Sequence, residues 1–365
     1  MDRCALISRR NLLATGAAAA ASISAPTHVF AQTLRKTTFM LAWLPDGSNY
    51  FMYAAKNLGF FKKRGIDLEL SRGFGSLATA EAVGSGKFDF GMPAIVTGIQ
   101  QAVQGLPITF LATMGYDSTM GIVALADSPI KSPKDLEGRK LGSTVASGEY
   151  PFIDHYLRKA GVDSSKVERV QLDAQVRNRA LLTKQVDAIS AFAGSSVPSI
   201  AAQGVGTRFF AYSAVGIDTY SIAIATRPQT VAAEPQLCQA VVDASLEGFV
   251  YTLKDPEAAL DAFAKELPEV AANPAAKDQA RIGFGIYALS ALMPPAKQNG
   301  IAWLDPGAIE RQTDLVMEFI APKGAQRPKV DMLFTNRFVG SARLTDAEWD
   351  AALKGFAPYR KYVGA

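Results

Sequence analysis

IDLELSRGFGSLATAEAVGSGKFDFGMPAIVTGIQQAVQGLPITFLATM, residues 66–114, switches repeatedly between two hydrophobic periods. Ile66 to Leu70 alternates apolar with acidic residues, the period of a half-buried strand. A helical pattern through Ala78 to Val83 follows, then a strand from Phe88 to Met92, a helix from Ala94 to Val103 and a β-rich run from Ile108 to Met114. Short strands separated by helices of about ten residues are how a sequence specifies an α/β fold with parallel strands.

The same alternation extends both ways. Upstream, Thr37 to Leu44 reads as a strand, Pro45 to Ser48 as a loop, and Asn49 to about Arg64 as a helix that stops at Gly65. Downstream, Met120 to Ala126 is extended, and Asp127 to Gly138 is polar and rich in turn formers. A second alternation starts at Lys140. Its strands are Lys140–Thr144, Val167–Leu172, Ala188–Phe192 and Arg208–Tyr212, with helices at Tyr150–Ala160, Ala174–Lys184 and Val197–Ala202. Ser221 to Thr226 is a further extended run, and beyond Pro228 the pattern is helical almost to the end. Asp255 and Asp305 each precede a proline, as an N-cap before Pro at the first helical position should. Thr345 with Glu348 is a capping box.

One extended run out and one back, with an α/β unit between them, predict a two-lobed α/β protein. Each lobe is a mainly parallel sheet flanked by helices, and two crossing strands form a hinge. The first lobe is discontinuous, 32–125 plus 222–365, and the inserted second lobe is 126–221. Two such lobes close on a ligand through small backbone rotations at the joint. One continuous α/β domain with a helical tail is the alternative.

The N-terminus carries an address. Arg9 and Arg10 are followed by an alanine-rich apolar run from Leu12 to about Ala25 and by Val29, Phe30 and Ala31, a small-residue cleavage pattern. This order predicts a twin-arginine signal peptide over 1–31, cleaved before Gln32, and so export to the periplasm. The run is too short for the ~20 residues that cross a bilayer. Cys4 precedes it, which excludes a lipoprotein cysteine. Removing 31 of the 365 residues leaves 334, enough for two domains, and takes Asp2, Arg3, Arg9 and Arg10, a net +2 of the chain's +4. The remainder is nearly neutral, with charges interspersed, so no nucleic-acid partner is expected.

That remainder keeps one cysteine, Cys238, and one histidine, His155. No internal disulfide and no His/Cys zinc site can form from these, and no metal or other cofactor is expected. Cys238 falls in the helical pattern Leu237, Val241, Val242, Leu246 and reads as a buried thiol; His155 reads as helix surface or packing.

In open parallel sheets the ligand crevice lies beyond the carboxyl ends of the strands. The loops there are Trp43–Tyr50, Arg72–Ser76, Gly91–Ala94 and Gly115–Asp117 in the first lobe, and Ala146–Tyr150, Asp173 and Ala193–Ser196 in the second. Gly75 with Ser76, Pro93 with Ala94, and Ser147, Gly148 and Glu149 offer free amides at helix starts. Trp43, Tyr50, Tyr116 and Phe192 are candidate ring contacts, and Asp46 and Asn49 lie in the polar turn between the first two.

LAWLPDGSNYFMYAAKNLGFFKKRGIDLEL (41–70), GKFDFGMPAIVTGIQQAVQGLPITFLATM (86–114), SPIKSPKDLEGRKLGS (128–143) and FTNRFV (334–339) together resemble one family. It comprises the substrate-binding proteins of ABC importers for nitrate, sulfonates and taurine, and for thiamin pyrimidine precursors. The resemblance implies the type II periplasmic binding protein fold. It implies a monomer that takes a small-molecule ligand between its lobes and delivers it to an ABC permease and ATPase in the inner membrane, after export by the twin-arginine translocase. The ligand class stays open among sulfonates, nitrate, aromatic carboxylates and pyrimidines. Pyrimidine-binding relatives tend to have Asn-His after the tryptophan loop, where this chain has Asn49-Tyr50. The competing reading is an exported enzyme on the same scaffold, with Glu149 and Asp46 or Asp173 as acid and base. A sensor binding the same ligand is a third.

Overall fold

The computed structural model describes residues 33–364, and the twin-arginine signal and its cleavage point read at 1–31 lie outside the described residues. Two five-stranded sheets organise the chain. The first has the order β2-β1-β3-β10-β4, from β1 (Arg35–Met40), β2 (Ile66–Ser71), β3 (Phe90–Gly91), β4 (Thr109–Thr113) and β10 (Ala223–Thr226). The second has the order β7-β6-β8-β5-β9, from β5 (Met120–Leu125), β6 (Lys140–Ser143), β7 (Glu168–Gln171), β8 (Ala188–Phe192) and β9 (Thr207–Ala211).

Both sheets are mixed. β1 pairs in parallel with β2 and β3, while β10 runs antiparallel to β3 and β4. β6 pairs in parallel with β7 and β8, while β5 runs antiparallel to β8 and β9. The antiparallel members are the strands that begin just after the chain passes from one sheet to the other. β5 is buried along its whole length and pairs on both edges in the second sheet, although the sequence boundary after residue 125 assigns it to the first lobe.

Helix ends follow local chemistry. The carboxylates of Asp255 and Asp305 accept the N–H groups of Ala258 and Ala308, and Thr345 and Glu348 cap each other reciprocally. Phe39, Phe51, Phe90, Phe110 and Phe249 pack the core on the first sheet. Val123, Ile189, Val197 and Ile200 pack a second cluster on the other sheet, joined there by Ile286 of the helix Pro274–Ala291. Cys238 is a core thiol whose pKa burial pushes up to about 11. His155 is buried and stacks on Phe319 with ring centroids 3.5 Å apart.

The helix Pro274–Ala291 passes between the sheets because glycines let backbones touch. A Cβ on Gly47 would lie 2.4 Å from the Ala280 carbonyl oxygen and 2.6 Å from the Gly283 Cα, and one on Gly283 would lie 2.9 Å from the Gly194 oxygen. Gly47→Ala is therefore expected to cost about 1–3 kcal/mol, since backbone rather than a flexible side chain must give way. Urea unfolding measures it, and an unchanged midpoint would show that this contact loosens in solution.

Candidate functional site

A cavity opens between the two sheets. It encloses about 50 Å³, or about 570 Å³ with the open space at its mouth. Ala42 and Trp43 line it from the end of β1, and Ser48 and Asn49 from the turn into the helix Tyr50–Asn57. Ser76 starts the helix Ser76–Gly84, and across from it stand Ser147 after β6, Phe192 at the end of β8, and Gly194 and Ser195 in the first turn of the helix Ala193–Ala201. The inter-sheet connections add Ser118, Thr119, Ser221 and Ile222, and Tyr287 comes from the helix Pro274–Ala291. The lining residues are thus mostly hydroxyl-bearing or aromatic and present a mainly apolar surface, with three helix starts that favour electron-rich atoms.

Among the described residues one charged side chain lines it, Arg177, the first residue of the helix Arg177–Leu182 after β7. Its Nη1 donates to Glu149 Oε1 at 3.0 Å and its Nη2 to the Ser196 hydroxyl at 3.2 Å. The guanidinium lies over the Trp43 ring, 4.8 Å from the centroid, so a residue of each sheet's loops meets in this contact. Nε is buried and has no partner. Burial lowers the Arg177 pKa from its usual value, and the Glu149 carboxylate is the main influence holding it up.

Glu149 stands behind the arginine, fully buried. Its Oε1 also accepts from the Ser190 hydroxyl at 3.3 Å, and its Oε2 accepts from the Ser147 hydroxyl. Every oxygen of the carboxylate is therefore engaged.

The Trp43 loop is fixed by an interlocked turn. Asp46 Oδ1 accepts from the Ser48 N–H at 2.9 Å, the Ser48 hydroxyl at 2.6 Å and Asn49 Nδ2 at 3.3 Å. Asn49 Oδ1 accepts from the Asp46 N–H at 3.1 Å. Burial raises the Asp46 pKa to about 6, against the Ser48 bonds that pull it down. Gly75 is required twice over. Its φ is +132°, and a Cβ there would lie 2.2 Å from the Ala146 carbonyl oxygen, which also accepts from the Leu77 N–H at 3.1 Å.

Of the residues the sequence singles out, Trp43, Asn49, Ser76, Ser147 and Phe192 line the cavity. Gly75 packs on Ala146, and a Cβ on Gly148 would touch Phe192 at 3.1 Å and Ala94 at 3.2 Å, so these three sit beside the cavity. Asp46 and Glu149 stand behind its wall and hold residues that line it. The remaining expectations need correction. Tyr50 is a core residue: its ring packs on Phe284 and Phe263, and its hydroxyl donates to the Pro256 carbonyl at 3.2 Å. Tyr116 meets Tyr220 edge-on, with ring centroids 5.1 Å apart, and does not line the cavity; Pro93 has no N–H to offer a ligand, and its carbonyl is taken by the Ala223 N–H. Ser48, Gly194 and Ser195 line the cavity from loops the sequence also names, whereas Ala42, Ser118, Thr119, Arg177, Ser221, Ile222 and Tyr287 are the lining residues that sequence reasoning missed. For Arg177 a signal existed, since it begins a helix just after the strand-end loop at Asp173.

The NMT1/THI5-like family model matches residues 48–259. The chain belongs to this family. Among its relatives it is 23% identical over 238 residues to the 4-amino-5-hydroxymethyl-2-methylpyrimidine phosphate synthase of Legionella pneumophila, covering 64% of this chain and 75% of that one. It is 25% identical over 334 residues to the riboflavin-binding protein RibY of Chloroflexus aurantiacus, covering 88% and 91%. Two other curated relatives match over only 49% and 45% of their own length. Among solved structures, the alkanesulfonate-binding protein SsuA of Xanthomonas axonopodis pv. citri, bound to MOPS, superposes with a TM-score of 0.64 at 14% identity, over 82% of this chain and 98% of that one. The NMT1/THI5-like chain thus has the two-lobed fold of periplasmic binding proteins.

Proposed function

We propose that this family member is the solute-binding component of an ABC importer. It captures a small aromatic or heterocyclic ligand, or a small organic anion, in the interlobe cavity. One observation carries the reading: a buried guanidinium with a free Nε in a wall of hydroxyls and rings, held between two lobes. The free N–H needs an acceptor, and a ring-bearing ligand with one polar edge supplies it while Trp43 and Phe192 cover its faces. RibY and SsuA, both named as binding proteins, support the assignment. In this reading the protein works as a monomer in the periplasm, reached through the twin-arginine translocase, and hands its ligand to a permease and its ATPase. The first lobe is 32–125 plus 222–365 and the second 126–221, with β5, the last stretch of the first segment, crossing over to pair in the second sheet, and the connections on either side of it and of β10 forming the hinge.

A thermal-shift screen of sulfonates, aromatic acids and pyrimidines tests it, because a ligand at a hundredfold excess over its Kd stabilises by about 2.7 kcal/mol. Trp43→Ala is expected to weaken the responding ligand about tenfold, through lost stacking on ligand and on Arg177. An unchanged Kd in the variant removes Trp43 from the site.

The synthase name of the Legionella relative favours a second reading, an enzyme on this scaffold. Glu149, the acid or base that reading needs, spends both oxygens on Arg177, Ser190 and Ser147. The binding reading therefore includes no turnover. Mass spectrometry of the same incubations decides, and a product absent with Glu149→Gln establishes the enzyme.

A further inference from the structure

The charge balance at the cavity points to the kind of ligand it selects. Among the described residues Arg177 is the one charged side chain in the lining, and its charge is already balanced from behind by the buried carboxylate of Glu149, 3.0 Å from Nη1. The pair is almost wholly buried at the edge of the cavity, with side chains 1% and 0% exposed. Ser147, Ser190 and Ser196 are its other hydrogen-bond partners, and Arg177 Nε is the one polar atom of the pair with no partner at all.

A sulfonate or carboxylate bound at that Nε would share one guanidinium with Glu149. Two anions would then be buried around a single cation, and the second would have lost its water without gaining a counter-charge of its own. The helix starts at Tyr50, Ser76 and Ala193 offset part of that cost, but each contributes a partial charge. A carbonyl oxygen or ring nitrogen uses the same Nε, hydroxyls and helix starts without bringing a net charge into the site.

We propose that Glu149 sets the charge preference of the cavity, so that it takes the neutral acceptor edge of an aromatic or heterocyclic ring in preference to an anionic group. This deepens the binding reading and rests on it. Glu149 does not line the cavity; it is a positioning residue that acts through Arg177.

Isosteric pairs that differ in charge test this: benzamide against benzoate, and benzenesulfonamide against benzenesulfonate, titrated at pH 7 into the purified protein. The neutral member is expected to bind about tenfold or more tighter to the wild type. Glu149→Gln is expected to move that ratio about tenfold or more toward the anion, and Glu149→Asp to restore it. A loss of packing alone would weaken both members of a pair together and leave the ratio unmoved. Should Glu149→Gln not fold, the double variant Glu149→Gln/Arg177→Gln carries no charge at the site and is expected to keep the neutral preference within about threefold. A wild type that binds the anion as tightly as its neutral partner, or a ratio that Glu149→Gln leaves unchanged, overturns the assignment while the binding reading stands. No binding of either pair at millimolar concentration overturns it as well, and the sulfonate, aromatic-acid and pyrimidine screen then decides whether the binding reading falls too.

Discussion

Arg177→Met is expected to lower the unfolding free energy by about 3–5 kcal/mol, the largest loss expected from a single change in this protein. The reason lies in what stays behind. Methionine replaces the aliphatic stem but not the guanidinium that lies over Trp43, and Glu149 is left fully buried with only the hydroxyls of Ser147 and Ser190. A carboxylate in that position loses its counter-charge while its desolvation remains. Adding Glu149→Gln to Arg177→Met removes the stranded charge, and the double variant is expected to lie within about 2 kcal/mol of the wild type. Urea unfolding of the two singles and the double gives the coupling directly. Near-additive losses, with the double variant the least stable, would show that the two groups are solvated separately in solution.

This pair marks the limit of what local pattern reveals. The alternation of strand and helix was legible because each element buries one face, and burial writes a period into the sequence. Strand direction writes no such period, so β5 and β10 read as extended runs without showing that they run antiparallel to their neighbours. β5 reads in sequence as a continuation of the first lobe, yet it is an inner strand of the second sheet. The proline-capped helices were legible at Asp255 and Asp305 because a cap is a contact over three residues.

The cavity divides in the same way. The Trp43 loop announces itself through its Pro-Asp-Gly turn, and Asn49 and Ser76 through helix starts. Glu149 and Arg177 meet across 28 residues, and nothing between them records the contact. An arginine in a short helical stretch resembles a solvated face, and burial becomes visible only when Trp43 arrives from the other sheet. Tyr50 fails in the opposite direction. It sits beside a crevice loop, but the helix it begins turns its ring back toward Phe263 and Phe284.

Asp46→Asn is expected to make the protein more stable at pH 7 by about 3 kcal/mol, and the sign follows from the carboxyl's environment. Its folded pKa is raised from 3.8 to about 6, chiefly by burial. Between about pH 4 and pH 6 the unfolded chain gives up this proton while the folded protein holds it. Stability therefore falls as pH rises through that window and stays lower above it, by about 1.4 kcal/mol for each unit of the shift. Asparagine keeps an acceptor for the Ser48 N–H and hydroxyl and brings no charge. The variant and the wild type should then unfold alike near pH 4 and diverge by pH 7, which urea titrations at the two values measure. Equal stability at both would show that Asp46 reaches water in solution. An ionised Asp46 also draws Ser48 and Asn49, two cavity-lining residues, into one arrangement. If Asp46→Asn gains stability but loses affinity for the ligand found by the thermal-shift screen, the buried charge is retained for the geometry it imposes on the wall, at the expense of the fold.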